Sequence, residues 1–138
     1  MLANSPVVAT IPCVDLKRAR RFYGVTLGLP EMDLPIPDAP DGQPIGAAFQ
    51  SGGDTMIFVY RRDEPATSDH TAAGWWVSDF DTVVDELMSR GITFDTYPNM
   101  PDVAWDARGV ASAPDSGYQT AWFKDPEGNV LAINTVPA

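Results

Sequence analysis

The sequence has a single cysteine, Cys13, and a single histidine, His70, among 138 residues. A lone cysteine excludes an internal disulfide, and nothing in it argues for an oxidising compartment. Basic residues are also scarce, 9 against 19 acidic, for a net charge of -10. That balance repels phosphate backbones and anionic membrane surfaces, and the one basic cluster, Lys17 to Arg21, is short enough to be the wet face of a helix. No apolar run approaches the roughly 20 residues a membrane helix needs, and Met1 to Pro6 carries no charged leader followed by an apolar core. A cytoplasmic protein without nucleic-acid or membrane partners is the expectation.

What is present is a globular composition: 44% apolar and 10% aromatic residues, enough for a core in a chain the size of one domain. Val7 to Val14 is β-branched and apolar and reads as a buried strand, with Pro12 at its end or at an edge. Asp15 stands as a helix N-cap, Leu16, Ala19, Phe22 and Tyr23 recur at helical spacing to about Thr26, and Gly28 closes the helix. The proline-rich stretch Leu29 to Asp41 leaves room for a short edge strand, Glu31 to Ile36. Ile45 to Gln50 and Asp54 to Arg61 read as a hairpin around Ser51-Gly52-Gly53. After a polar connector, residues 62–71, the order repeats. Ala72 to Val77 is a strand, Asp79 and Asp81 open a helix that Gly91 stops, and Ile92 to Tyr97 is a short strand. A long loop, Pro98 to Gly117, has space for one edge strand and leads to a last hairpin, Tyr118 to Thr135.

The two halves correspond residue by residue. Adding 64 places Asp15 on Asp79, Leu16 on Phe80, Ala19 on Val83 and Tyr23 on Leu87. For the hairpins, adding 75 places Gly53 on Gly128, Met56 on Leu131 and Phe58 on Ile133, so the second half carries about eleven extra residues. Each half is too small to bury a good core alone. The predicted class is α+β: two βαβββ modules, about 6–61 and 72–136, pairing into curved mixed sheets around a central cleft with the helices on the outer faces.

The opening segment Ile11-Pro12-Cys13-Val14-Asp15-Leu16 to Phe22-Tyr23, followed by Leu27-Gly28-Leu29, and the closing Trp122-Phe123-Lys124-Asp125-Pro126-Glu127-Gly128-Asn129 resemble the vicinal oxygen chelate superfamily. That group contains glyoxalase I, extradiol dioxygenases, methylmalonyl-CoA epimerase, fosfomycin resistance enzymes and bleomycin-binding resistance proteins. The resemblance covers nearly the whole chain, and one scaffold here hosts unrelated chemistries. It implies metal ligands on the first and fourth strands of each module, His or Gln early and Glu late. Carried onto this sequence those positions are Val8, Ile57, a position near Ala72, and Ala132, none of which offers a donor side chain. Neighbours one residue away are no better, so no metal and no cofactor are expected.

His70 lies two positions before Ala72, where a slipped ligand is conceivable, but a solvated histidine in the polar connector is the favoured role. Cys13 reads as a small buried apolar side chain. Trp76 either lines the cleft or packs elsewhere, and Trp105, with Asp102, Asp106 and Arg108, is either a lid or an exposed aromatic on a surface loop. The candidate ligand-binding cleft is Val8, Thr10, Ile57, Trp76, Trp105, Trp122, Ala132 and Asn134, with no catalytic residue assigned. An apolar cleft with aromatic plates and a few polar handles suits a planar organic ligand. The leading reading is therefore metal-independent binding of an apolar or aromatic small molecule, in the manner of bleomycin-resistance proteins. The alternatives are a lyase, isomerase or dioxygenase with atypical ligands, and an accessory module with a filled cleft. Exposed sheet edges, and the habit of relatives, point to a homodimer, with the modules paired within one chain or by strand exchange.

Overall fold

Asp15 starts the first helix as its position predicts: its carboxylate accepts from the Arg18 amide at 3.0 Å, and Leu16–Arg20 (α1) follows. The helix runs on as a π-helical stretch, Arg21–Thr26, which buries both Phe22 and Tyr23. Gly28, at φ 72°, lets the chain reverse so that the Leu29 amide donates to the Tyr23 carbonyl.

The computed structural model describes residues 1–137. Their contacts define two compact units: Met1–Ser68 with the turn Pro126–Asn129, and Asp69–Asp125 with the chain from Val130 onward. The first unit holds a four-stranded mixed sheet of Val8–Cys13 (β1), Glu31–Met32 (β2), Gly46–Gln50 (β3) and Met56–Arg61 (β4), in the order β1-β4-β3-β2. β1 is an edge strand parallel to β4, which is where Pro12 costs no ladder bond. The side chains of Ile11, Cys13, Ala47, Phe49, Ile57 and Val59 are all buried and share one face, against which Tyr23 of the helix lies with its ring 5.9 Å from Phe49.

The second unit holds a five-stranded sheet in the order β5-β9-β8-β7-β6. Its strands are Thr71–Val77 (β5), Ala104–Trp105 (β6), Ala111–Ser112 (β7), Gln119–Lys124 (β8) and Val130–Thr135 (β9), with the helix Phe80–Ser89 (α2) after β5. Ala121, Phe123, Leu131 and Ile133 are buried on one face, with Phe94 edge-on to Phe123. Phe80, Val84 and Leu87 are the buried stripe of α2, and Gly91, at φ 92°, stops it.

Three expectations change. The edge strand at residues 31–36 is only the two residues of β2, because prolines at 35 and 37 interrupt pairing. Ile92 to Tyr97 contributes one bridge, Asp95 to Trp122, rather than a strand. The long loop contains two short strands, β6 and β7, which pair with each other, and β7 also pairs with β8.

The repeat is visible in the register, with one correction. Adding 74, not 75, carries all five β3–β4 pairs onto β8–β9 pairs: Ala48↔Phe58 becomes Trp122↔Ala132, and Phe49↔Ile57 becomes Phe123↔Leu131. Adding 64 likewise carries Thr10 to Gly74 and Pro12 to Trp76, each beside the matching strand residue. The glycine ruler slipped because both turns have five residues, 51–55 and 125–129, yet the left-handed glycine is third in one, Gly53, and fourth in the other, Gly128.

Candidate functional site

A one-residue slip in a strand moves a side chain to the other face of the sheet. The position equivalent to Ala132 is therefore Phe58, and Ile57 leaves the expected site: it is 3% exposed on the face packed under α1. Val8 and Thr10 lie on the opposite face of the first sheet, beside Met56 and Phe58. On that face the Phe58 ring covers Gly46, where an added Cβ would sit 2.9 Å from the ring and 2.4 Å from the Val59 carbonyl oxygen.

The other five expected residues share one face of the second sheet. A transverse row runs Trp76, Asn134, Thr120, Ala111, Trp105 across β5, β9, β8, β7 and β6. The next row is Gly74, Ala132 and Trp122. This is the face away from Phe123 and Leu131. Trp105 and Trp122 approach with ring centroids 6.0 Å apart, and Tyr97 joins them, edge-on to Trp122 at 5.4 Å and 6.5 Å from Trp105. Such edge-on and tilted contacts contribute roughly 0.5–1.5 kcal/mol each beyond area burial. Tyr97 was missed from sequence because its segment forms a single bridge. That bridge, at Asp95, is what brings it over Trp122.

The floor between the aromatics is small and polar at one end. Thr120 Oγ donates to Asn134 Oδ1 at 3.0 Å, and Asn134 Nδ2 donates to the Trp75 carbonyl at 3.4 Å, which orients the amide. Gly74 keeps the space beside that amide open, since a Cβ there would lie 3.2 Å from Asn134 Nδ2. Access is uneven: Trp76 is 69% exposed on the edge strand, whereas Ala132 is 3% exposed beneath its neighbours. Ala72 falls in a bulge of β5 and has no ladder partner.

The metal implied by the resemblance does not fit these residues. With the register corrected, its four positions are Val8, Phe58, Ala72 and Ala132, all hydrocarbon side chains. Among the described residues no group of three or more His, Cys, Asp or Glu could hold an ion. His70 lies exposed beside the Thr71 carbonyl, 3.3 Å from Nδ1, and Cys13 is buried in the core of the first sheet.

Of the loop residues grouped with Trp105, Asp106 and Arg108 join each other. The Asp106 carboxylate accepts from the amides of Arg108 and Val110, both at 2.9 Å. Burial pushes its pKa up, but these bonds and the Arg108 guanidinium outweigh that and hold it below the usual carboxylate range. Arg108 also reaches Asp81 and Asp85 of α2. Asp102 takes no part and stands in a left-handed turn at φ 57°.

Known structures share this architecture. A glyoxalase family protein from Enterococcus faecalis superposes with a TM-score of 0.67 at 16% identity, covering 97% of this chain and 99% of that one. A glyoxalase/bleomycin resistance protein/dioxygenase from Alicyclobacillus acidocaldarius gives 0.65 at 21%, covering 96% and 91%, and the oxidase ChaP-H2 gives 0.66 at 22%, covering 98% and 95%. Comparison with curated proteins found no match. At these identities the likeness establishes the fold alone. The family model for the glyoxalase/bleomycin resistance protein/dioxygenase superfamily matches residues 6–133, and the chain belongs to that superfamily.

Proposed function

We propose that the protein binds a planar, largely apolar small molecule on the aromatic face of its second sheet, without a metal. The observation that carries this reading is the cluster of Trp105, Trp122 and Tyr97 on the face that also carries Trp76 and a floor of Gly74, Ala132, Thr120 and Asn134. Trp76 and Trp122 stand on strands separated by β9, about 9.5 Å apart, and in neighbouring rows, so the two side chains are diagonal to each other. A planar ring lying over Gly74 and Asn134 would reach from the exposed Trp76 toward Trp122. Because Ala132 is already covered, the ligand lies toward Trp76, and the second amide hydrogen of Asn134 faces an acceptor on its edge.

The metal-free part of the proposal rests on donor chemistry, since all four positions carry hydrocarbon side chains. Titrating planar tricyclic compounds into chelator-treated protein, with tryptophan fluorescence as the readout, tests it. Binding that Trp76→Ala weakens about tenfold supports the reading. Metal-dependent turnover of a relative's substrate class would replace it with the enzymatic one.

We also propose that the protein works as a cytoplasmic homodimer. β1 and β5 are edge strands of their sheets, and β5 presents Trp76 to solvent along a seven-residue edge. Sedimentation of a monomer at all concentrations would contradict this.

A further inference from the structure

The strands that carry Trp105 are too short to hold it. β6 and β7 pair through only Ala104↔Ser112 and Trp105↔Ala111, β7 joins β8 through two further pairs, and β6 is the outermost strand of the sheet, held by its two pairs alone. Yet the Trp105 ring sits at contact distance from both Trp122 and Tyr97. Something beyond the ladder fixes the hairpin.

Its turn supplies the fixture. Asp106 closes the turn through the Arg108 and Val110 amides, and the Asp106 amide donates to the Val110 carbonyl at 3.0 Å. Gly109, at φ 92°, lies against Phe94, where an added Cβ would be 3.1 Å from the Phe94 carbonyl oxygen. From this turn Arg108 reaches to α2, 2.8 Å from Asp81 and 3.3 Å from Asp85, while its guanidinium also contacts Asp106 at 3.1 Å. Asp81 and Asp85 are one helical turn apart and repel each other, so a fork between them relieves α2 as it holds the turn. Occupied by three carboxylates, Arg108 is not available as a ligand-binding cation.

We infer that Arg108 is a positioning residue. By tying the β6–β7 turn to α2 it keeps Trp105 in the aromatic cluster, and it thereby sets the affinity of the site. The second clause rests on the proposed ligand-binding reading; the first does not.

Two measurements separate them. In ligand-free protein, the indole N–H of Trp105, assigned with Trp105→Phe, reports ring order by NMR. Arg108→Gln is expected to mobilise that signal and shift the Trp122 indole, with Arg108→Lys restoring part of the order and high salt reproducing part of the loss in the wild type. An unchanged Trp105 indole in Arg108→Gln overturns the tether. The second measurement is a double-mutant cycle with acridone, an uncharged planar fluorescent tricycle, as probe. Arg108→Gln is expected to weaken acridone binding about three- to tenfold, the size of one lost aromatic contact, and to have no further effect in Trp105→Ala protein. Equal weakening in both backgrounds overturns the link between Arg108 and the site. If acridone does not bind at all, the ligand-binding reading and the affinity clause fail together, and the indole signal still decides the tether.

Discussion

Glu127, in the turn between β8 and β9, accepts through one carboxylate oxygen from the Asp15 amide at 2.9 Å. The same oxygen accepts from the Val14 amide at 2.9 Å, and Arg18 is 3.1 Å away. It thus satisfies amides at the start of α1 that the helix itself leaves without partners. Asn129 adds a bond from Nδ2 to the Pro12 carbonyl at 3.0 Å. The Asp-Pro-Glu-Gly-Asn turn that marks the family in the sequence is therefore an anchoring device, and its acidic residue has structural work.

Glu127→Ala is expected to destabilise the protein by about 1–3 kcal/mol, because the side chain is only 4% exposed and two backbone donors lose their partner. Burial raises the Glu127 pKa, but the Asp15 and Val14 amides and Arg18 lower it more, leaving it below its ordinary 4.5. A depressed folded value means that the stabilisation is full above about pH 4.5 and fades as the pH falls through the folded pKa. Thermal melts of wild type and Glu127→Gln should accordingly differ most near neutral pH and converge in acid. A difference that grows on acidification would refute the assignment.

Trp76 and Trp122 share a face but should respond differently to truncation. Trp76→Ala leaves the melting temperature nearly unchanged, since the side chain is 69% exposed, and lowers ligand affinity. Trp122→Ala dismantles the contacts with Tyr97 and Trp105 and is expected to cost about 2–4 kcal/mol. Urea titrations and binding assays on the two variants separate a binding role from a packing role.

Gly46 is required for close packing rather than for conformational freedom. A methyl group there meets the Val59 carbonyl oxygen at 2.4 Å and the Phe58 ring at 2.9 Å, so Gly46→Ala is expected to destabilise by about 2–3 kcal/mol. Gly52→Ala, with nothing within 4 Å, should be tolerated. Equal melting temperatures for the two variants would contradict the close approach of β3 and β4 at this point.

Local chemistry made much of this fold legible. Asp15, Gly28 and Gly91 mark helix ends through caps that act over a few residues, and the structure places the ends there. Register was harder, because it depends on where a turn puts its left-handed residue. Gly53 and Gly128 look equivalent in sequence and occupy different turn positions, which moved the equivalent of Ala132 from Phe58 to Ile57 and across the sheet. Alternation within a strand groups Ala132 with Asn134 and Gly74 with Trp76, but only the pairing of β5 with β9 puts the two groups side by side. Tyr97 and the tether of Arg108 to Asp81 and Asp85 depend on contacts 23 to 27 residues apart, with no periodic signal between them.

The central claim is that the aromatic face of the second sheet binds its ligand without a metal. The most direct measurement is a single titration run twice, acridone binding to chelator-treated protein and to protein incubated with zinc, nickel, manganese and ferrous iron, each followed by elemental analysis. The expected result is the same dissociation constant in both samples, no stoichiometric metal in either, and weaker binding in Trp76→Ala. A tightly bound equivalent of metal, or binding that appears only after metal is added, would contradict it.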